Sequence, residues 1–161
     1  MSLRRRFRLV AVVALAAAAF AGHAAEMRPF DAASLPAIKA AYAGRSFILA
    51  FWSIHCAPCI EDLADWGPLQ RRHPGVPIVL VTTDPPAERA RVARVLARYP
   101  LAKVEAWAFA DDFGERIRYA VDRGWRGELP RTYFYDAAHA AEVVSGRLDA
   151  AWTAAWYDRV R

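Results

Sequence analysis

Phe47-Ile-Leu-Ala-Phe-Trp52, Ser53-Ile-His55 and Cys56-Ala-Pro-Cys59, read as one stretch, decide how this chain folds. Six consecutive apolar residues with no polar alternation suit a strand buried on both faces, as in the middle of a parallel sheet. After Cys56 the pattern turns helical, with Leu63, Trp66 and Leu69 recurring at helical spacing. A strand thus delivers the chain's only two cysteines, three positions apart, to the start of a helix. Residues i and i+3 of a first helical turn share a face, so the two sulfurs come within bonding distance. Cys56 is the outer sulfur, at a helix N-terminus whose unpaired amides and positive dipole end favour thiolate over thiol. Cys59 lies one turn further in and is shielded. Pro58 falls in the first turn, where its missing amide proton breaks no helical hydrogen bond. This context points to a dithiol pair that opens and closes. A static structural disulfide is the competing reading.

The first residues speak to compartment. Arg4, Arg5, Arg6 and Arg8 precede the apolar stretch from Leu9 to Ala21 and the small-residue segment Gly22-His-Ala-Ala25. Charged, apolar and cleavable regions in that order predict a signal peptide over residues 1–25, cut after Ala24 or Ala25. A retained membrane anchor is the less favoured reading, because the apolar stretch is shorter than the ~20 residues that cross a hydrocarbon core. The expected location is the periplasm, where thiols meet an oxidising environment. Removing 25 of the 161 residues leaves 136, enough for one compact domain over residues 26–161. Taking four arginines from the 22 basic residues leaves 18 against 17 acidic ones, and the net charge drops from +5 to +1. That balance gives no electrostatic case for nucleic acid or an anionic membrane as partner.

Beyond the central stretch, the pattern predicts a helix from Ser34 to Ala43, with Ser34 as its cap, Pro36 in its first turn and Gly44 closing it. Gly67-Pro68 predicts a kink in the helix after the cysteines. Val76 to Thr82 reads as a strand ending at Asp84-Pro-Pro86, and Ala87 to Tyr99 as an amphipathic helix. A short strand around Val104 to Ala110 and a helix through Phe113, Ile117 and Val121 follow. Thr132 to Tyr135 and Ala141 to Ser145 predict an antiparallel hairpin around a turn at Asp136 to His139. Leu148, Trp152, Ala155 and Trp156 share one face of a last helix. Alternating strands and helices imply an α/β sandwich of three layers, a mixed central sheet flanked by helices.

Phe51-Trp52-Ser-Ile-His-Cys56-Ala-Pro-Cys59, then Val79 to Asp84, then Gly127-Glu-Leu-Pro130-Arg-Thr-Tyr-Phe-Tyr-Asp136 together resemble the TlpA/ResA-like branch of the thioredoxin superfamily. The resemblance covers the whole chain after residue 25. It implies a thioredoxin-like fold and an exported thiol–disulfide oxidoreductase, with Cys56 attacking and Cys59 resolving. It implies that Leu129-Pro130 is a cis-proline site facing the cysteines and helping to bind a substrate backbone. It also implies a disulfide reductase, fed by a membrane thiol donor and acting on protein disulfides in cytochrome c or metalloprotein assembly. No cofactor beyond the dithiol is expected, and the chain is expected to act as a monomer.

Several positions depart from the family pattern. His55 stands where an aromatic residue is usual. Protonated, it would stabilise a Cys56 thiolate, or it is simply a solvent-facing histidine. The acidic residue that thioredoxins proper carry in the strand before the site is replaced by Ala50. Many ResA-like proteins have a glutamate three residues beyond the second cysteine, and Asp62 matches it, with Glu61 beside it. Asp62 is therefore a candidate proton acceptor for Cys59, whereas Glu61 reads as a solvated acid near a helix N-terminus. Trp52 is expected beside the active-site turn. Trp66, Trp107, Trp152 and Trp156 are expected in the core or a groove, and Trp125, in the loop before Pro130, as an exposed substrate contact.

The alternative function is metal handling, with Cys56 and Cys59 holding a soft ion such as copper(I). Copper-delivery proteins of related fold use wider cysteine spacing and a distant histidine. The histidines left after residue 25, His55, His73 and His139, lack the compact spacing of a closed zinc site, and no metal is expected.

Overall fold

The computed structural model describes residues 27–160, so the predicted signal peptide lies outside the described residues. The elements run β1 (Arg28–Phe30), α1 (Ser34–Ala41), β2 (Phe47–Trp52), α2 (Ala57–Arg72), β3 (Ile78–Thr82), a 3₁₀ turn at Pro86–Glu88, α3 (Arg89–Leu96), β4 (Glu105–Phe109), α4 (Gly114–Val121), β5 (Arg131–Tyr135), β6 (Ala141–Ser145) and α5 (Ala150–Arg159).

Six strands form one sheet in the order β1-β4-β3-β2-β5-β6. β1, β4, β3 and β2 are mutually parallel, while β5 runs antiparallel to β2 and β6 antiparallel to β5. The expected mixed sheet and its terminal hairpin are both present. β2 is central and wholly buried, which is why its sequence is apolar at every position. Its alternation splits the core in two. Phe47, Leu49 and Phe51 join Leu35 and Ile38 of α1 and Ile117 of α4 on one side of the sheet. Ile48, Ala50 and Trp52 join Leu63, Trp66 and Leu69 of α2, Val92 of α3 and Trp156 of α5 on the other.

Some local expectations shift. β1 is unpredicted, because three residues with only Phe30 buried carry no periodic signal. The cap position of α1 is Ala33, and the Ser34 hydroxyl instead donates to Asp31 Oδ1 at 2.9 Å. The segment from Ala87 is shared between the 3₁₀ turn and a shorter α3. The helix after the cysteines continues through Gly67-Pro68 to Arg72. Gly67 sits under the Pro100 carbonyl, whose oxygen would lie 2.1 Å from any Cβ placed there.

Candidate active site

Parallel β2 and β3 end on the same edge of the sheet, and antiparallel β5 begins there. The cysteines stand at this edge. Cys56 caps α2, and Cys59 lies in its first turn, bonded to Cys56 through an S–S bond of 2.05 Å. Cys59 is 1% exposed and Cys56 half-buried, so one sulfur faces outward and the other inward. The Cys59 amide donates to Cys56 Sγ at 3.2 Å, directing a helix N-terminal N–H at the outer sulfur. Pro58 occupies the first turn as expected.

The loop between β2 and α2 is held by a residue whose role the sequence did not reveal. Asp84, just past β3 and 3% exposed, accepts from the Ser53 hydroxyl at 2.6 Å, from the Ile54 amide at 2.9 Å and from the Thr82 hydroxyl. Ser53 Oγ in turn accepts from the His55 amide at 3.0 Å. A carboxylate directly after an apolar strand, at the sheet edge that carries the cysteines, is the signal that could have singled it out. The exposed His55 places Nε2 2.7 Å from Glu88 Oε2. His55, Asp84 and Glu88 form the one metal-competent group among the described residues, and neither sulfur is part of it. Asp84 accepts from three donors, and Glu88 pairs with His55.

The register Phe51↔Arg131 puts Pro130 one step further, opposite Trp52 at the end of β2. The Leu129–Pro130 peptide is cis. Leu129 packs against both halves of the core, and the Pro130 carbonyl accepts from the Gly146 amide at 2.9 Å.

No protein-family model matches the sequence, and no curated protein matches it. Solved structures do. DsbF of Mycobacterium tuberculosis, solved in mixed oxidised and reduced forms, superposes with a TM-score of 0.61 at 21% identity over 75% of this chain and 84% of its own. A secreted disulfide oxidoreductase of the same organism, homologous to E. coli DsbE, gives 0.58 at 17% identity over 74% and 85%. StoA of Bacillus subtilis gives 0.50 at 20% identity over 71% and 83%. The fold is thioredoxin-like.

Within this thioredoxin-like frame, Asp62 lies three residues beyond Cys59 on α2 and is 2% exposed. Its Oδ1 accepts from Arg147 Nε at 3.1 Å, whereas Oδ2 is buried without a partner. Burial pushes the Asp62 carboxyl above the usual aspartate range, and Arg147 opposes the rise. Glu61 is exposed and also bonds Arg147. Trp52 and Cys59 belong to the same half of the core. Trp52 Nε1 and Thr132 Oγ1 are, like Asp62 Oδ2, buried and unpaired.

Trp125 corrects the sequence reading. It is 4% exposed, lies 4.6 Å centroid to centroid from Phe51, and donates its indole N–H to the Glu128 carbonyl at 3.0 Å. An indole that fills the core behind the Pro130 loop offers no surface to a substrate. Its long apolar ring outweighed the Gly and Arg residues around it, which had suggested an exposed turn.

Proposed function

We propose that this protein is an exported thiol–disulfide oxidoreductase of the TlpA/ResA-like type, working in the periplasm as a reductase of protein disulfides. The observation that carries the reading is the half-buried Cys56 at the N-terminus of α2, bonded to a buried Cys59. Reduced, Cys56 is a thiolate stabilised by the helix terminus, and it attacks one sulfur of a client disulfide. A mixed disulfide forms, and the client's other sulfur leaves as thiolate. Cys59 gives its proton to Asp62 and attacks Cys56 Sγ. The Cys56–Cys59 bond closes and the second client sulfur departs, so that two electrons have passed to the client. The cis-Pro130 loop, with Leu129, lines the client's backbone beside Cys56. No cofactor other than the dithiol takes part, a membrane thiol donor restores it, and the protein acts as a monomer. Residues 1–25 act as the export signal, and no described helix is long and apolar enough to cross a membrane.

The test is the reduction potential, measured by equilibration in defined thiol–disulfide buffers and trapping of Cys56 and Cys59. A value near about −270 mV supports the reductase, and one near about −120 mV a disulfide donor instead. A pair that does not exchange refutes the enzyme. Tight one-to-one copper(I) binding by the reduced pair would then favour metal transfer.

A further inference from the structure

Arg147 lies in the turn between β6 and α5 and is tied to both halves of the site. The residue before it, Gly146, donates its amide to the carbonyl of cis-Pro130 at 2.9 Å. Its own guanidinium spans three acids on α2. Nε bonds Asp62, Nη1 bonds Glu61, and Nη2 lies 3.6 Å from Asp65 Oδ2. Of these acids only Asp62 is buried, the other two being more than half exposed. Solvent can therefore carry the charge of Glu61 and Asp65, whereas the charge of Asp62 is supported chiefly by Arg147, with a smaller contribution from the Leu148 backbone N–H.

Asp62 presents Oδ1 to the arginine and leaves Oδ2 unpaired on the buried side. Cys59 lies on the same helical face one turn earlier. The other groups around this face are apolar or neutral. β2 contributes Trp52, and α5 contributes Trp152 and Trp156. Strand alternation turns Thr132 of β5 toward the same side. The nearby Asp149 is engaged in capping α5 at the Trp152 amide. Arg147 is thus the single cation in contact with Asp62 among the described residues.

We infer that Arg147 is a positioning residue that keeps Asp62 ionised beneath Cys59, with its free oxygen available for the resolving thiol's proton. The inference rests on the oxidoreductase reading and deepens it. A buried carboxylate without a counter-ion takes up a proton in order to stay buried, and a protonated Asp62 cannot accept one from Cys59. Burial alone would thus reduce the share of Asp62 that can act as a base. With the arginine in place, the acid stays a base and is still basic enough to work near its operating pH.

The test isolates the resolving step. Reaction of the reduced protein with an aromatic disulfide reagent leaves a coloured thiol joined to Cys56. Cys59 then loses its proton, attacks Cys56 Sγ and expels the coloured thiolate, whose absorbance gives the rate at each pH. Arg147→Gln is expected to move the midpoint of the rate profile to higher pH and to slow the step about tenfold below the wild-type midpoint, one pK unit being a factor of ten. Arg147→Lys retains the charge and should move it less. Asp62→Asn should slow the step by about 100-fold, the lower end of what a general base contributes. An unmoved midpoint in Arg147→Gln, or in Arg147→Met where the Gln variant does not fold, overturns the inference, and a drop in melting temperature alone marks a merely structural role. If Asp62→Asn reproduces the wild-type profile, the assignment of Asp62 as base fails. If the wild type expels no thiolate, the oxidoreductase reading fails.

Discussion

Ser53 Oγ donates to Asp84 Oδ1 at 2.6 Å, joining residues 31 positions apart. With the Ile54 amide on Oδ2, this bond fixes the three-residue loop that carries β2 into Cys56. Asp84→Ala leaves the buried Ser53 hydroxyl and the part-buried Ile54 amide without their acceptor, and a buried donor left unsatisfied costs about 1–3 kcal/mol. Urea denaturation of the disulfide form should show a loss of that size. An unchanged denaturation midpoint would mean that water replaces the carboxylate.

His55 and Glu88 form a second bond at the site, 2.7 Å long and at the surface. Protonated, the imidazole beside Cys56 favours the thiolate, so His55→Ala should raise the Cys56 thiol pKa. Thiolate ultraviolet absorbance followed against pH reads the variant. A titration that superposes on the wild type would remove the histidine from the mechanism.

Trp125 behaves as core in this structure, and its variant should show it. Trp125→Ala opens a cavity against Phe51 and removes a buried hydrogen bond. Truncating a buried aromatic typically costs about 3–5 kcal/mol. A chemical denaturation curve shifted by that amount is the expected result. A variant of wild-type stability with weakened client binding would restore the surface reading.

The contrast between Trp125 and β2 shows which parts were legible in the sequence. β2, α2 and the β5–β6 hairpin carry their own periodicity, so their positions follow from local pattern alone. The cis peptide at Leu129–Pro130 followed from the family resemblance, since local propensity favours trans. Asp84 and Arg147 were hidden because their partners lie 31 and 85 positions away, and no window of sequence contains both ends of either bond. β1 is too short to show a period, and it exists because β4 offers it an edge.

Gly67 puts two local rules in opposition. In a helix interior, Gly→Ala ordinarily stabilises by up to about 1 kcal/mol. Here a Cβ would meet the Pro100 carbonyl oxygen at 2.1 Å, a backbone atom that cannot swing aside. Overpacking costs about 1–3 kcal/mol, so the clash decides the sign. Gly67→Ala should lower the melting temperature, and a rise would show that the loop at Pro100 yields.

Asp62 also makes stability depend on pH, in a direction set by its raised carboxyl pKa. Burial is the main cause, and the Arg147 pair offsets only part of it. A group whose folded pKa lies above its unfolded value, about 3.9 for aspartate, binds its proton more tightly in the native state. Its contribution favours folding fully below that pH and is lost as pH rises through the folded pKa. Asp62→Asn removes this dependence while keeping an acceptor for Arg147 Nε. The unfolding free energy of the variant minus that of the wild type should therefore rise from acid to neutral pH. Denaturation series at several pH values test it, and a difference that falls with pH would mean that the arginine outweighs burial and that Asp62 is held below its ordinary pKa.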